Sequence, residues 1–227
     1  RQPSLRVGVS VLVVPMRNAV ELAKELATID VLSGGRLIVG IGGGWDEAEF
    51  GHLGLADRFR QRGAYMNEAI AIWRHLWGGG QGPFAGRFHQ FDQVRFGPLP
   101  VQGAELPVWV GGRDEAALRR AGSLGNGYHS SATGPANYAP RVPIVRAAAA
   151  AAGRPEPLFS ARFRVAFGEH SVPYFMLSGT PEQMIATLRE FAALGVRHIA
   201  LDFAETDPDK AARLIERFDS EVRAALL

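Results

Sequence analysis

Arg36-Leu37-Ile38-Val39-Gly40-Ile41-Gly42-Gly43-Gly44-Trp45 is the stretch that decides how this chain folds. Its first half is an unbroken apolar run, the pattern of a strand covered on both faces, and its second half is a glycine cluster where the chain turns. Immediately before it, Ala19 to Leu32 reads as an amphipathic helix, with Ala19, Ala23, Leu26, Ala27 and Asp30 at three- and four-residue spacing. Ser33-Gly34-Gly35 stops that helix. Leu5 to Val14, further upstream, is a second apolar run, also expected to be buried on both faces. Two buried strands joined by a crossover helix make a parallel βαβ unit with right-handed connection.

The same alternation continues downstream. Gln61 to Trp77 places Tyr65, Ala69, Ile72, Trp73, Leu76 and Trp77 on one helical stripe, stopped by Gly78-Gly79-Gly80. Residues 81–107 form an irregular insertion across the rim of the fold, with Phe84, Phe88, Phe91 and Phe96 set among glycines and prolines that argue against regular sheet. Then come a strand at Val108 to Gly111, a helix at Asp114 to Leu124 and a short strand end at Gly127 to Ser130. Tyr138 to Ala152 reads as an alanine-rich helix interrupted near Pro143. The last third gives a strand at Phe159 to Phe167, a helix at Pro181 to Leu194, a strand at Val196 to Phe203 and a helix at Pro208 to Leu227. Thr180, Pro181 and Gln183 supply a hydroxyl N-cap, a first-turn proline and a capping-box residue.

About six strands alternate with five or six helices, with no break in composition, so residues 1–227 are expected to form one α/β domain. A doubly wound sheet and a (β/α)8 TIM barrel both fit this alternation. At about 30 residues per unit, 227 residues fall short of the roughly 250 of eight units, and six units opening directly on a strand point to a barrel lacking its beginning. A first residue other than Met agrees with a piece of a longer chain.

Composition narrows the function. The chain is 47% hydrophobic, too apolar for disorder, and has no cysteine, which removes disulfides, thiolate metal sites and a cysteine nucleophile. The cytoplasm is the expected compartment. Twenty-five Lys and Arg balance 23 Asp and Glu without a basic block, so no nucleic-acid partner is expected. Absence of an apolar run of about 18 residues argues against a membrane span, and Arg1-Gln2-Pro3-Ser4 is no signal peptide.

Several residues are candidates for chemistry. The glycines of 40–44 fit a dinucleotide fingerprint poorly, because Trp45 takes the last glycine position. They still let a planar ligand lie against the strand end, the alternative being a plain tight turn. Gly111-Gly112-Arg113 lies between a strand and a helix start, where backbone N–H groups and a guanidinium make a phosphate seat; an arginine paired with a rim carboxylate is the competing reading. His129, close to a strand end, is either a functional residue facing the barrel mouth or a hydrogen-bonded structural one. His75 belongs to the polar face of its helix. Asp46, Glu47 and Glu49 serve the dipole of a short helix that Trp45 and Phe50 dock, rather than acting as a hydrolase pair. No histidines show metal-ligand spacing, so no metal is expected, and no serine sits in a nucleophile elbow.

Three blocks together are specific: Val11-Leu12-Val13-Val14-Pro15-Met16-Arg17-Asn18, Leu22 through Leu37, and Gly40 through Phe50. With Pro107-Val108-Trp109-Val110-Gly111-Gly112 and Gly179-Thr180-Pro181-Glu182-Gln183, they resemble the luciferase-like monooxygenase superfamily over essentially the whole chain. The resemblance implies a (β/α)8 barrel with an inserted segment, commonly a homodimer, that uses FMN with a partner flavin reductase or uses the deazaflavin F420. It implies that Gly43, Gly44 and Asp46 lie beside the cofactor ring, that Gly111, Gly112 and Arg113 receive its phosphate, and that Asp30 and Arg36 brace the turn between them. Family members begin with two further βα units, which this sequence lacks; a chain complete at this length is expected to leave the barrel open, with an exposed strand edge.

The form of the Gly40 to Phe50 and Gly179 to Glu182 blocks is most similar to F420-dependent members, which exchange a hydride with a small-molecule substrate. The alternatives are an FMN-dependent two-component monooxygenase and a non-catalytic dimerising barrel homologue. A divalent-metal barrel hydrolase does not explain the early motifs. Substrate specificity is expected in Gln81 to Pro107, in the loop from His129 to Asn137, and in the units this sequence does not contain.

Overall fold

A computed structural model describes residues 4–226; Arg1 to Pro3 and Leu227, the expected last residue of the final helix, lie outside them. In chain order the elements are β1 (Val7–Val13), α1 (Ala19–Ser33), β2 (Leu37–Gly42), α2 (Glu47–His52), α3 (Ala56–Phe59) and α4 (Arg62–Trp77). They continue with β3 (Phe84–Ala85), β4 (Gln90–Phe91), β5 (Val108–Val110), α5 (Glu115–Ser123), β6 (Gly127–Ser131), α6 (Pro135–Tyr138) and α7 (Arg141–Ala151). The chain ends with β7 (Leu158–Phe167), β8 (Met176–Gly179), α8 (Pro181–Ala193), β9 (Val196–Asp202) and α9 (Pro208–Glu221). Seven of these strands form one sheet in the order β1-β2-β5-β6-β7-β8, with β9 also on β7. Every strand pair in it is parallel. This is the incomplete α/β barrel expected, with β8 as a seventh strand that the sequence pattern did not show.

Strand alternation divides the sheet into two faces. Leu37, Val39 and Ile41, then Val108 and Val110, then Phe159, Ala161, Phe163 and Val165 join the core beneath the helices. Trp73 and Trp77 of α4 stack at 5.5 Å and donate their indole N–H groups to the Ala19 and Ala23 carbonyls, so the helix layer is tied as well as packed. The opposite, concave face is the lumen, and it carries Gly40, Gly42, Trp109, His129, Ser160 and Arg162.

Buried cover on both faces, expected for Leu5 to Val14, is not what β1 has. Val7, Val9 and Val11 are 45%, 36% and 37% exposed. Among the described residues β1 has β2 as its only strand neighbour, and an apolar run at a sheet edge lacks the flanking strand that would cover it. The register of β1 on β2 slips between Val9 and Leu12, a bulge that carries the strand across its neighbour. A Cβ built on Gly40 would lie 2.0 Å from the Val9 carbonyl oxygen, and one on Gly42 would lie 2.7 Å from a Val11 methyl. The glycines of the deciding stretch are thus fixed first by backbone crossing.

Three further expectations change. The insertion contains a regular hairpin, β3 paired antiparallel with β4, its Phe84 and Phe91 rings stacked at 5.5 Å. Glu68 of α4 clamps the hairpin by accepting from the Phe88 and His89 N–H groups at 3.0 and 2.7 Å and from His89 Nδ1 at 2.9 Å. Burial raises the Glu68 pKa, but these hydrogen bonds outweigh it and hold the carboxyl below its ordinary value. Asp30 and Arg36 both brace the turn between them, but not by pairing with each other: the buried Asp30 carboxylate accepts from the Leu37 N–H at 3.3 Å and from the Gln102 main-chain and side-chain N–H groups at 3.0 and 2.8 Å. The Arg36 guanidinium instead donates to the Ser33 carbonyl at 2.6 Å and the Leu5 carbonyl at 2.5 Å. Pro143 does not interrupt a helix, because the break falls at Ala139-Pro140 and Pro143 sits in the first turn of α7, where its missing N–H has no intrahelical partner to lose. By contrast, the capping box of Thr180 and Gln183 forms as the sequence predicts.

Replacing Gly40 with Ala is expected to lower unfolding stability by about 3 kcal/mol, since the new methyl meets backbone rather than a movable side chain. Urea unfolding checks this, with Gly51→Ala as the control, because a Cβ there meets nothing within 4 Å.

Candidate functional site

Parallel strands deliver all their C-terminal ends to one rim, so the segments after β2, β5, β6 and β9 are neighbours despite their separation in sequence. Gly111, after β5, donates its N–H to the Ile41 carbonyl at 2.7 Å and continues the ladder to the rim. Gly112 has φ +142, and a Cβ there would meet the Ala117 methyl at 2.3 Å, so the loop hugs the first turn of α5. Asp114 caps that helix by accepting from the Ala117 N–H at 2.7 Å. Arg113 is exposed and donates to the Ser131 carbonyl at 3.2 Å. Among the described residues it has no ion-pair partner, so a carbonyl rather than the rim carboxylate orients it.

Beneath this loop, Arg141 is a residue that sequence reading missed. Its Nη1 donates to the Tyr128 hydroxyl, Ser130 Oγ and Thr133 Oγ1 at 3.1, 3.1 and 3.2 Å. Tyr128 in turn donates to the Gly112 carbonyl at 3.1 Å. One guanidinium therefore fixes the Gly112 backbone relative to the turn at 130–133. Ala132, inside that turn, has φ +48, a left-handed conformation that a non-glycine residue holds at some cost. Nothing in the local pattern marks Arg141, since its partners come from another element.

A cleft of about 340 Å³ opens here, lined by Arg113, Ser131, Ala132, Arg162, Phe163, Arg164, Tyr174 and Asp202. Three guanidiniums face one carboxylate in it. The alternation Arg162-Phe163-Arg164 within β7 was the available signal, because residues two apart share a face. A larger hollow of about 650 Å³ lies between α1 and the insertion, and its lining, including Lys24, Phe88, Phe91 and Phe96, contains no strand end of the parallel sheet. The smaller cleft is therefore the candidate site.

Deeper in the lumen, His129 joins a line of hydrogen-bonded groups. Ser10 Oγ and His129 Nε2 are 2.6 Å apart, His129 Nδ1 and Ser160 Oγ 2.8 Å, and Ser160 Oγ and His198 Nδ1 2.8 Å. Trp109 packs edge-on against His198 at 4.9 Å. Burial, then the nearby His198 and Arg162, push the His129 pKa down to about 4. His129 is thus neutral near pH 7, with both ring nitrogens engaged, one layer below the mouth it was expected to face.

The remaining predicted residues lie on the same rim. Gly44 has φ +76 and leaves no room for a side chain against Phe50 and Val13, both 2.9 Å from a built Cβ. A Cβ on Gly43 meets only ordinary contacts with Met66 and Arg62. Asp46 caps α2 through the Ala48 N–H at 2.9 Å. Phe50 is buried as expected, but Trp45 is 85% exposed and docks nothing on the described chain.

A family model of luciferase-like monooxygenases matches residues 2–172. The chain belongs to the luciferase-like monooxygenase family. A pyrimidine monooxygenase of Escherichia coli is 30% identical over 139 residues, 59% of this chain and 38% of that protein, so the match spans well under half of the relative's length. The fold is shared with a coenzyme F420-dependent tetrahydromethanopterin reductase from Methanopyrus kandleri, at a TM-score of 0.82 and 19% identity over 97% of this chain and 83% of that one. It is also shared with the oxygenating constituent of 3,6-diketocamphane monooxygenase from Pseudomonas putida, whose structure contains FMN, at 0.69 and 14% over 86% and 72%.

Between pH 6.5 and about 4, the unfolded chain takes up a proton at residue 129 that the folded protein refuses. This stability is complete above pH 6.5 and falls as the pH drops toward 4. The expected loss between pH 7 and 5 is roughly 2 kcal/mol. Urea midpoints at the two pH values should show it, and His129→Gln should remove the part owed to residue 129, leaving that of His198, whose pKa burial also lowers.

Proposed function

We propose that this protein is a flavin-type oxidoreductase that uses the deazaflavin F420 to exchange a hydride with a small organic substrate. The observation that carries the reading is Arg113: a guanidinium without an ion-pair partner among the described residues, held over a Gly111-Gly112 turn at the mouth of a parallel sheet. The donor set fits a phosphate, and the glycines let it approach the backbone. Gly43 and Gly44, on the adjoining strand end, would present backbone to a planar ring, their Cβ positions being turned toward Met66 and Arg62 and toward Phe50 and Val13.

Bound there, the deazaflavin would supply the carbon that gives or takes the hydride. The chain's own residues bind and orient. Arg113 holds the phosphate, and Arg141 keeps the Gly112 turn in place through Tyr128. Neutral His129 fills the floor of the lumen with Trp109, so a cofactor held above it would face fixed dipoles there rather than an extra positive charge.

The monooxygenase named among the relatives favours a second reading, an FMN-dependent two-component monooxygenase served by a flavin reductase. Both readings use the same seat and a homodimer, and both suit a cytoplasmic protein; no helix among the described residues is long and apolar enough to cross a membrane.

Titration with F420 and, separately, FMN, followed by fluorescence, tests the choice. Saturable F420 binding without FMN binding is the expected result; FMN binding alone supports the monooxygenase, and binding of neither supports the non-catalytic dimerising homologue. Arg113→Ala should weaken binding of whichever cofactor is held by roughly 10- to 100-fold, the equivalent of about 1.5–3 kcal/mol. Unchanged affinity removes Arg113 from the phosphate seat.

A further inference from the structure

Arg162 and Arg164 of β7 look into the lumen, because the alternating Ala161, Phe163 and Val165 are committed to the helix-side core at 1%, 2% and 4% exposure. Residues two apart on a strand lie about 7 Å from each other on one face. Two guanidiniums are therefore held side by side in a concave space, where like charges repel unless an anion lies between them. One carboxylate answers both: Asp202 Oδ2 accepts from Arg162 Nη2 at 2.9 Å and lies 3.8 Å from Arg164 Nε. Its other oxygen already accepts from the Ala204 N–H at 2.9 Å. Arg164 also donates to the Tyr174 hydroxyl at 3.0 Å, and both guanidiniums stay reachable, at 39% and 51% side-chain exposure.

The geometry points to a substrate bearing a monoanionic oxyacid group, such as a carboxylate, held by Arg162 and Arg164 beside the Gly111 to Arg113 loop. This rests on the strand-end cleft being the reacting chamber, as proposed above. Two arginines and one aspartate leave an excess of one positive charge, which a carboxylate matches and a phosphate dianion exceeds. Planar guanidinium forks suit the two oxygens of such a group. Arg113, the third guanidinium of the cleft, stays with the cofactor phosphate.

The test compares sodium benzoate with neutral benzamide at constant ionic strength, read by tryptophan fluorescence and thermal shift. Benzoate is expected to bind saturably and benzamide at least tenfold more weakly. Arg164→Gln should weaken benzoate at least tenfold, Arg162→Lys should weaken it by removing the planar fork while keeping the charge, and Arg113→Gln, which removes only a more distant charge of the same cleft, should weaken it clearly less than Arg164→Gln does. Equal binding of benzoate and benzamide by the unmodified protein overturns the inference without relying on any variant. So does an equal loss in the Arg113 and Arg164 variants, which places the anion at the phosphate seat. Intact F420 binding without benzoate binding overturns this inference and leaves the cofactor reading standing. Benzoate binding by a protein that takes neither F420 nor FMN supports the anion site and overturns the cofactor reading.

Discussion

The crossing of β1 over the lumen is the constraint on which the rest of this structure depends. Among the described residues no strand joins β1 to β9, so the concave sheet is held together from within as well as along its ladder. The bulge between Val9 and Leu12 turns Ser10 inward, where its hydroxyl meets His129 at 2.6 Å and begins the line through Ser160 to His198. That path exists because positions 40 and 42 have no side chains; a methyl at either would occupy the space of the Val9 carbonyl or a Val11 methyl. Glycines that look like a ligand motif are thus required by the fold before any ligand is considered.

Above that line the electrostatic character of the lumen changes. The lower layer contains two imidazoles whose pKa values burial lowers, and it is neutral near pH 7. The upper layer holds Arg113, Arg162 and Arg164 against the single carboxylate of Asp202. A chamber with a neutral floor and a cationic rim attracts anions to its mouth without burying an unpaired charge at its base, an arrangement that avoids the desolvation cost of a deep ion. On β7, Ser160 of the floor and Arg162 and Arg164 of the rim occupy alternate positions along one face, so a single strand contributes to both layers.

Much of this was legible before any coordinates. The apolar run and glycine turn at 36–45, the helix stops, and the capping box at Thr180 and Gln183 are local signals, decided by backbone preferences within a few residues. Gly111-Gly112-Arg113 was readable for the same reason, being a strand end followed by a helix cap. Other features were not. Val7, Val9 and Val11 have the pattern of a fully covered strand, and their exposure follows from having one strand neighbour instead of two among the described residues. Phe84 and Phe91 look like scattered aromatics in a glycine-rich insertion, yet they stack because Glu68, on a separate helix, collects the amides of the turn between them. Asp30 serves Gln102, 72 residues away, rather than the nearby Arg36.

The sequence by itself determined the order of elements, the parallel α/β class, the family and the glycine–arginine loop at the rim, because each is written in contiguous residues. Only the tertiary structure decided that Arg162, Arg164 and Asp202 face Arg113 in one cleft, that Arg141 supports Gly112, and that His129 sits in a neutral lumen between two serines. These groups come from strands and helices far apart along the chain, and their chemistry depends on distance and burial, quantities that no local pattern encodes.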